Sequence, residues 1–267
     1  MQATEARWAV EPTPTPLVRR LAVTWQHPRT RRYHPVGMLE QTNHGFRFTY
    51  LVGARAVLGT RPLLGFHDYA RVYEAENLFP LFAARLMDPA RPERPRLLEA
   101  LSLDALAGPF ELLARSGGRR TGDSIELVPE PTVTVDGSTD CLFLVHGVRH
   151  AHGANELLPQ LQRGDRLTLV DDSQNPVNPL AIVVADEARA PLGWVPDPLV
   201  DYVRHVRDHG GASLWVERAN GPEFGHHLRL LVHLEGTVEP NYRPFGGPDW
   251  MLAAAPASSP GRITPVH

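Results

Sequence analysis

The cationic chemistry of this chain is carried by one residue type. It contains no lysine, so its 27 cationic side chains other than histidine are all arginine. Guanidinium groups bind phosphate oxygens in pairs and stack on planar rings. The loop Gly117-Gly118-Arg119-Arg120 is therefore a candidate anion site, in which glycine N–H groups and arginine charge act together. The alternative is a helix that ends at glycine and is followed by solvated arginines.

A second group of arginines lies near the N-terminus, at Arg29, Arg31 and Arg32. If these residues lie at the edge of a hairpin, they would contact phosphate groups. An ordinary solvated turn is the alternative interpretation, because charged residues are common in turns between strands.

The stretch 171–184 reads DDSQNPVNPLAIVV, in which two Asn-Pro pairs lead into an apolar strand. Pro176 and Pro179 restrict the backbone, so Asn175 and Asn178 are held in fixed positions. Two interpretations remain open. The asparagines line a pocket for a nucleic acid or nucleotide, or they satisfy backbone groups of turns that only shape the fold.

Histidines are candidates for metal or phosphate binding in two regions, which hold His146, His150 and His152, and His226, His227 and His233. The first three alternate along one strand end, where they could collect metal ligands on one side or serve equally as phosphate donors. In the second region, His227 and His233 would share a face, but no third ligand stands at the spacing of a known zinc motif, so only metal binding is considered there. The sequence has no nucleophile elbow, no phosphate-binding loop and no metalloprotease motif. It predicts no metal, no cofactor and no catalytic site, so the protein is not expected to be an enzyme.

The whole chain has 267 residues and a net charge of −3, which argues against binding nucleic acid through bulk charge. No apolar run approaches the roughly 18 residues that a membrane span needs, so no membrane partner is expected. There is no signal-peptide pattern, and Cys141 is the single cysteine. These features predict a cytoplasmic protein without disulfides.

Alternating apolar residues predict strands at both ends of the chain and short helices between them. The fold class is α+β, with an N-terminal α+β module followed by an OB-like small β-barrel with one or two helices. The predicted boundaries are a flexible N-terminus at 1–16, the module at 17–131, a linker at 132–140, the barrel at 141–236 and a flexible tail at 237–267.

The C-terminal part resembles a HIRAN domain over residues 141–235. The residues that carry the resemblance are GVR at 147–149, RGDRLTLVDD at 163–172, NPVNPLAIVV at 175–184 and PLGWVP at 191–196. These pieces occur in the order and at the spacing of the family pattern. HIRAN domains have OB-like barrels, and the resemblance implies capture of the 3′ end of single-stranded DNA.

The resemblance implies a site made of Arg149, His150, Asn175, Val177, Asn178 and Trp194. Arg149 and His150 would contact phosphate and the terminal nucleotide, and Asn178 would hold its 3′-hydroxyl. Val177 and Asn178 stand where the DNA-capturing members have an aromatic residue and an aspartate. Because base stacking contributes roughly 1–3 kcal/mol per base, these differences predict weaker binding of DNA or binding of a different ligand.

The N-terminal part resembles the N-terminal subdomain of HipA-type toxin kinases. The matching text is VGMLE at 36–40, GFRFTYL at 45–51, LFPLFAARLM at 78–87 and FELLARSGGRRTGDSIELVPE at 110–130. This resemblance implies a docking or regulatory module without a kinase lobe.

Together these observations predict a bacterial protein that captures an end of single-stranded DNA, in DNA repair, phage defence or a related process. The alternative is a regulatory or antitoxin-like protein that docks a kinase or a DNA-binding regulator through its N-terminal half.

Overall fold

The α+β class is confirmed by a computed structural model, which describes residues 18–120 and 122–255. The predicted flexible N-terminus lies outside these residues. Two antiparallel sheets make up the fold, with five and seven strands among the described residues. In the same ranges, no helix is long and apolar enough to cross a membrane.

The first sheet has the strand order β4-β3-β2-β1-β5. Its strands are β1 (Arg20–Gln26), β2 (Tyr33–Thr42), β3 (Gly45–Tyr50), β4 (Val72–Ala75) and β5 (Ile125–Pro129). The helices α1 (Ala54–Leu58), α2 (Pro80–Ala83) and α4 (Pro109–Ser116) pack on it. In contrast, α3 (Arg94–Ala100) places Leu98 in a buried cluster with Leu144 and Leu231 of the second sheet. β2 and β3 form a hairpin, in which Thr42 pairs with Gly45. Its apolar face buries Phe48 and Tyr50 against Phe66 and Phe82.

The second sheet has the strand order β10-β9-β8-β11-β12-β7-β6. Its strands are β6 (Thr132–Val133), β7 (Ser138–Leu144), β8 (Arg166–Asp171), β9 (Ile182–Ala185), β10 (Pro191–Trp194), β11 (Ser213–Ala219) and β12 (Leu230–Thr237). Its helices are α5 (Ala154–Leu157) and α6 (Val200–His209).

Among the described residues, the seven strands of this sheet do not close into a continuous barrel. Its strand order is open, and the segment after β7 meets β10 at one isolated bridge, between His146 and Trp194. The bridge consists of two backbone hydrogen bonds, each 2.8 Å long. A single pair of residues therefore brings β7 and the edge strand β10 together.

Residues 238–255 differ from the predicted flexible tail because they pack back onto the fold. Val238 is buried, and the rings of Phe245 and Trp250 stack with centroids 4.1 Å apart. Leu252 then forms a bridge with Leu51 of the N-terminal half. These apolar residues are spaced among prolines, glycines and alanines, so no periodic pattern marked them. The rest of the predicted tail, 256–267, lies outside the described residues.

The two halves share a core. Ala22, Met38 and Val128 from the first sheet pack in one buried cluster with Phe143 and Leu234 from the second. The predicted linker also takes part in the sheet, because Thr132–Val133 pairs with β7. The domain boundaries stay a prediction, but the contacts between the halves are those of a buried interface.

Gly193 is needed where β10 approaches the segment that follows β7. Its φ is +150°, and a Cβ there would lie 2.4 Å from the carbonyl oxygen of His146. We expect Gly193→Ala to lower the free energy of unfolding by about 2–4 kcal/mol, since it separates β10 from His146.

Urea denaturation measures this change. Gly53→Ala is the matched control, because no atom lies within 4 Å of a Cβ at Gly53. An equal loss of stability in both variants would show that the bridge does not constrain this position.

Candidate nucleic-acid interface

A cluster of polar side chains lies where the two halves meet. Glu126 on β5 is only 5% exposed, and its Oε1 is 2.8 Å from Nε2 of His146, which follows β7. Arg119 donates a hydrogen bond from Nη2 to the Tyr33 hydroxyl at 3.0 Å, and its Nη1 lies 3.8 Å from Glu126 Oε1. The ring centroids of Tyr33 and His146 are 5.3 Å apart. We call these four residues the junction cluster.

The charges of the junction cluster depend on each other. Burial alone would raise the pKa of Glu126, but His146 and then Arg119 outweigh it and hold this pKa below its ordinary value. Burial, followed by the charge of Glu126, raises the pKa of the Tyr33 hydroxyl. At neutral pH the cluster therefore contains a buried carboxylate, a neutral phenol and a cationic guanidinium.

His146 connects this cluster to the predicted site. The next residue, Gly147, has a φ of +68°, and a Cβ there would lie 2.7 Å from Cε3 of Trp194. The chain then forms a 3-10 turn over Val148–His150. Arg149 and His150 are both exposed on this turn, and Arg149 Nε donates to His150 Nε2 at 2.9 Å.

The Asn-Pro stretch uses its asparagine side chains locally. Asn175 Oδ1 accepts from the N–H groups of Val177 and Asn178, at 3.0 and 3.1 Å. Asn178 is buried, and its Oδ1 accepts from the N–H of Leu180 while its Nδ2 donates to Asp197. These hydrogen bonds are the ones that the turn-shaping interpretation requires. A role of Asn175, Val177 and Asn178 in ligand binding stays a prediction.

Trp194 lines the site, and its indole ring is held in place by contacts within the protein. Its indole N–H donates to Asp172 Oδ2 at 2.9 Å, and one part of its ring lies against Gly147. Asp172 also accepts from Asn175 Nδ2 at 3.1 Å. The indole is therefore fixed between the 3-10 turn and the Asn-Pro stretch.

The loop at 117–120 divides into a buried and an accessible part. Gly117 and Gly118 are buried with positive φ, and a Cβ at Gly118 would lie 2.5 Å from Leu127 Cδ1. These glycines end α4, as the alternative interpretation expects, and their N–H groups are not on the surface. Arg119 is half-buried in the junction cluster, and Arg120 is exposed.

Three arginine groups that are distant in sequence surround the junction cluster. Arg31 is close enough to Tyr33 to lower its pKa, against the effect of burial. Burial and then Arg119 lower the pKa of His227, which lies in a 3-10 turn, His226–Leu228, that contacts the turn carrying Arg149. We define the basic face as the set Arg29, Arg31, Arg32, Arg119, Arg120, Arg149, His150, His226 and His227.

Several residues of this surface were missed by sequence reasoning, or assigned another role. Glu126 lies in IELVP, where alternation gives no sign that a charged position is buried. His226 and His227 were considered only as metal ligands. Within the described ranges, no three His, Cys, Asp or Glu side chains are grouped as metal ligands would be.

No protein-family model matches this chain, and no curated protein matches it. The chain is similar to the crystal structure of the HIRAN domain of human HLTF, with 19% identity, covering 39% of this chain and 82% of that chain at a TM-score of 0.29. It is also similar to a protein from Lactobacillus plantarum, with 20% identity, 36% and 98% coverage and a TM-score of 0.28. At these TM-scores neither similarity establishes a family, and the HipA resemblance of the N-terminal half stays a prediction.

The Glu126–His146 hydrogen bond should stabilise the protein in a pH-dependent way. Because the folded-state pKa of Glu126 lies below its ordinary value of 4.5, its contribution is present above that pH and is lost as the pH falls. We expect Glu126→Gln to lower the free energy of unfolding by about 1–3 kcal/mol at pH 7, and by less below pH 4.5.

Urea denaturation at several pH values checks this expectation. Glu187→Gln is the control, because Glu187 is exposed and should change the stability by less than about 0.5 kcal/mol. A destabilisation by Glu126→Gln that stays constant from pH 7 to pH 3.5 would contradict a charged Glu126.

Proposed function

We propose that this protein binds single-stranded nucleic acid through phosphate contacts on the basic face, without catalysing a reaction. One observation supports this most strongly. The β1–β2 turn, the loop after α4 and the 3-10 turn after β7 all carry arginines, and each of these segments contains or adjoins a residue of the junction cluster. Arg29, Arg31, Arg32, Arg120 and Arg149 form no ion pair with a carboxylate among the described residues.

Several arginines outside the basic face are neutralised by ion pairs. Arg47 pairs with Glu74 at 2.8 Å, Arg96 with Glu223 at 2.7 Å, and both Arg204 and Arg207 with Asp171. A net charge of −3 therefore coexists with a surface at the junction whose arginines mostly lack a carboxylate partner among the described residues. Such a surface attracts polyanions locally, although the bulk charge does not.

The side chains that are free to bind a ligand favour contacts with the sugar–phosphate backbone of a nucleic acid over recognition of its bases. The planar groups of Arg149 and His150 are exposed and can stack on a terminal base. Trp194, Asn175 and Asn178 are already held by hydrogen bonds inside the protein. The proposed binding is thus strongly salt-dependent and weakly sequence-dependent.

A strand end, more than an internal segment, is the proposed ligand. The resemblance of residues 141–235 to HIRAN domains supports this, as does the position of Arg149 and His150 at the tip of a short turn. We propose single-stranded DNA as the natural ligand, in repair, phage defence or a related process.

Loss of one phosphate contact should weaken binding and reduce its salt dependence. We expect Arg149→Ala and Arg31→Ala each to raise the Kd for a labelled oligothymidylate roughly 3- to 10-fold, and to lower the slope of log K against log salt by about 0.7. Fluorescence anisotropy at several salt concentrations measures both quantities.

Arg61→Ala is the matched control, because Arg61 is exposed and lies outside the basic face. The proposal is wrong if the unmodified protein shows no binding at low salt. It is also wrong if Arg61→Ala weakens binding as much as Arg149→Ala.

Circular DNA, which has no ends, can test whether the protein requires a free strand end. We expect a linear oligonucleotide to bind at least fivefold more tightly than a circular one of the same sequence, measured by competition. Equal affinities would exclude end capture and would leave phosphate binding along the strand. Comparing 3′-hydroxyl, 3′-phosphate and 5′-phosphate ends then identifies the polarity.

A further inference from the structure

A second feature of the junction between the halves is a cavity of about 160 Å³ between α4 and the strands β5, β6 and β7. Both halves supply its walls, and the residues that line it carry charges of both signs. We infer that this cavity binds an amino-acid-sized zwitterion with a short apolar side chain. This site is separate from the basic face and does not depend on the proposed nucleic-acid binding.

The group that would hold the ligand carboxylate is Arg115. Its side chain lines the cavity, and the residue is only 8% exposed. Nη1 donates to the Leu101 carbonyl at 3.2 Å, but no carboxylate of the described chain lies within ion-pair distance of this guanidinium. Glu111, Glu217 and Asp140 act on this charge only from beyond ion-pair distance, so a carboxylate bound directly to the guanidinium would stabilise it further.

The first turn of α4 adds to this anion-binding end. Gly108, Pro109 and Phe110 line the cavity, and no described side chain caps the N–H groups of this turn. The positive end of an eight-residue helix therefore borders the same cavity as Arg115.

The groups that would hold the ligand ammonium are Glu111 and Asp140. Both line the cavity, one from α4 and the other from β7. Glu111 forms no ion pair within the described residues, and Asp140 Oδ2 lies 3.4 Å from His233 Nε2. Glu130, the third carboxylate at the cavity, is already paired with Arg20 at 2.6 Å.

The volume of the cavity and its apolar walls restrict the size and the polarity of the ligand side chain. A cavity of roughly 150 Å³ takes up a molecule the size of benzene. Phe110, Leu142 and Pro129 supply apolar surface beside the charged groups. A zwitterion of about six to eight non-hydrogen atoms fits these limits, whereas a tryptophan or a nucleotide does not.

Thermal unfolding of the full chain tests the inference with defined probes. The panel is glycine, alanine, valine, threonine, proline and tryptophan, each at about 10 mM, with isobutylamine and isobutyrate as analogues that lack one charge. We expect at least one small amino acid to raise Tm by roughly 3 °C or more, and tryptophan and both analogues to have no effect.

Variants then show whether the rise in Tm depends on residues that line the cavity. Arg115→Met and Glu111→Gln should abolish the shift in Tm. Arg229→Met should keep the shift, because Arg229 is equally buried but donates to Asn220 and Asn155, away from the cavity. If Arg115→Met does not fold, the partly exposed Glu111→Gln variant decides the question.

The inference is overturned by any of three results: no small amino acid raises Tm, the singly charged analogues act equally well, or Glu111→Gln keeps the full shift. Arg149→Ala should keep the amino-acid effect. Failure of nucleic-acid binding and failure of this site are therefore separate outcomes.

Discussion

The arrangement of the two halves depends on the buried hydrogen bond between Glu126 and His146. The side chain of His146 binds the first sheet through Glu126, while its backbone pairs with Trp194 and joins the two ends of the second sheet. The residues that follow His146 form the turn that carries Arg149 and His150. One histidine therefore sets the position of the proposed binding turn relative to the N-terminal half.

This arrangement explains how an acidic protein can present a basic face. Oε1 of the buried Glu126 carboxylate contacts His146 Nε2 at 2.8 Å and lies 3.8 Å from the Arg119 guanidinium. The surrounding arginines come from separate segments of the chain, and the fold brings them together without matching acids. Elsewhere on the surface, ion pairs neutralise Arg47, Arg96, Arg204 and Arg207, so part of the positive charge outside the junction is offset.

Local elements could be predicted from the sequence, whereas the junction could not. The β2–β3 hairpin, the glycine stop of α4 and helix α6 follow from alternation, turn residues and helical periodicity. The burial of Glu126 and the packing of residues 238–255 depend on contacts between distant segments, which no local pattern records. The arginine groups were recognised one by one, but their convergence depends on how the two sheets pack.

In the proposed function, both halves form one binding surface. Hydrogen–deuterium exchange of the full chain, with and without saturating oligothymidylate, tests this most directly. The structure predicts slower exchange in three separate segments: the β1–β2 turn at 27–33, the turn at 147–150 and the turn at 225–228. Exchange that slows in the C-terminal half alone, or in neither half, would contradict a surface shared between them.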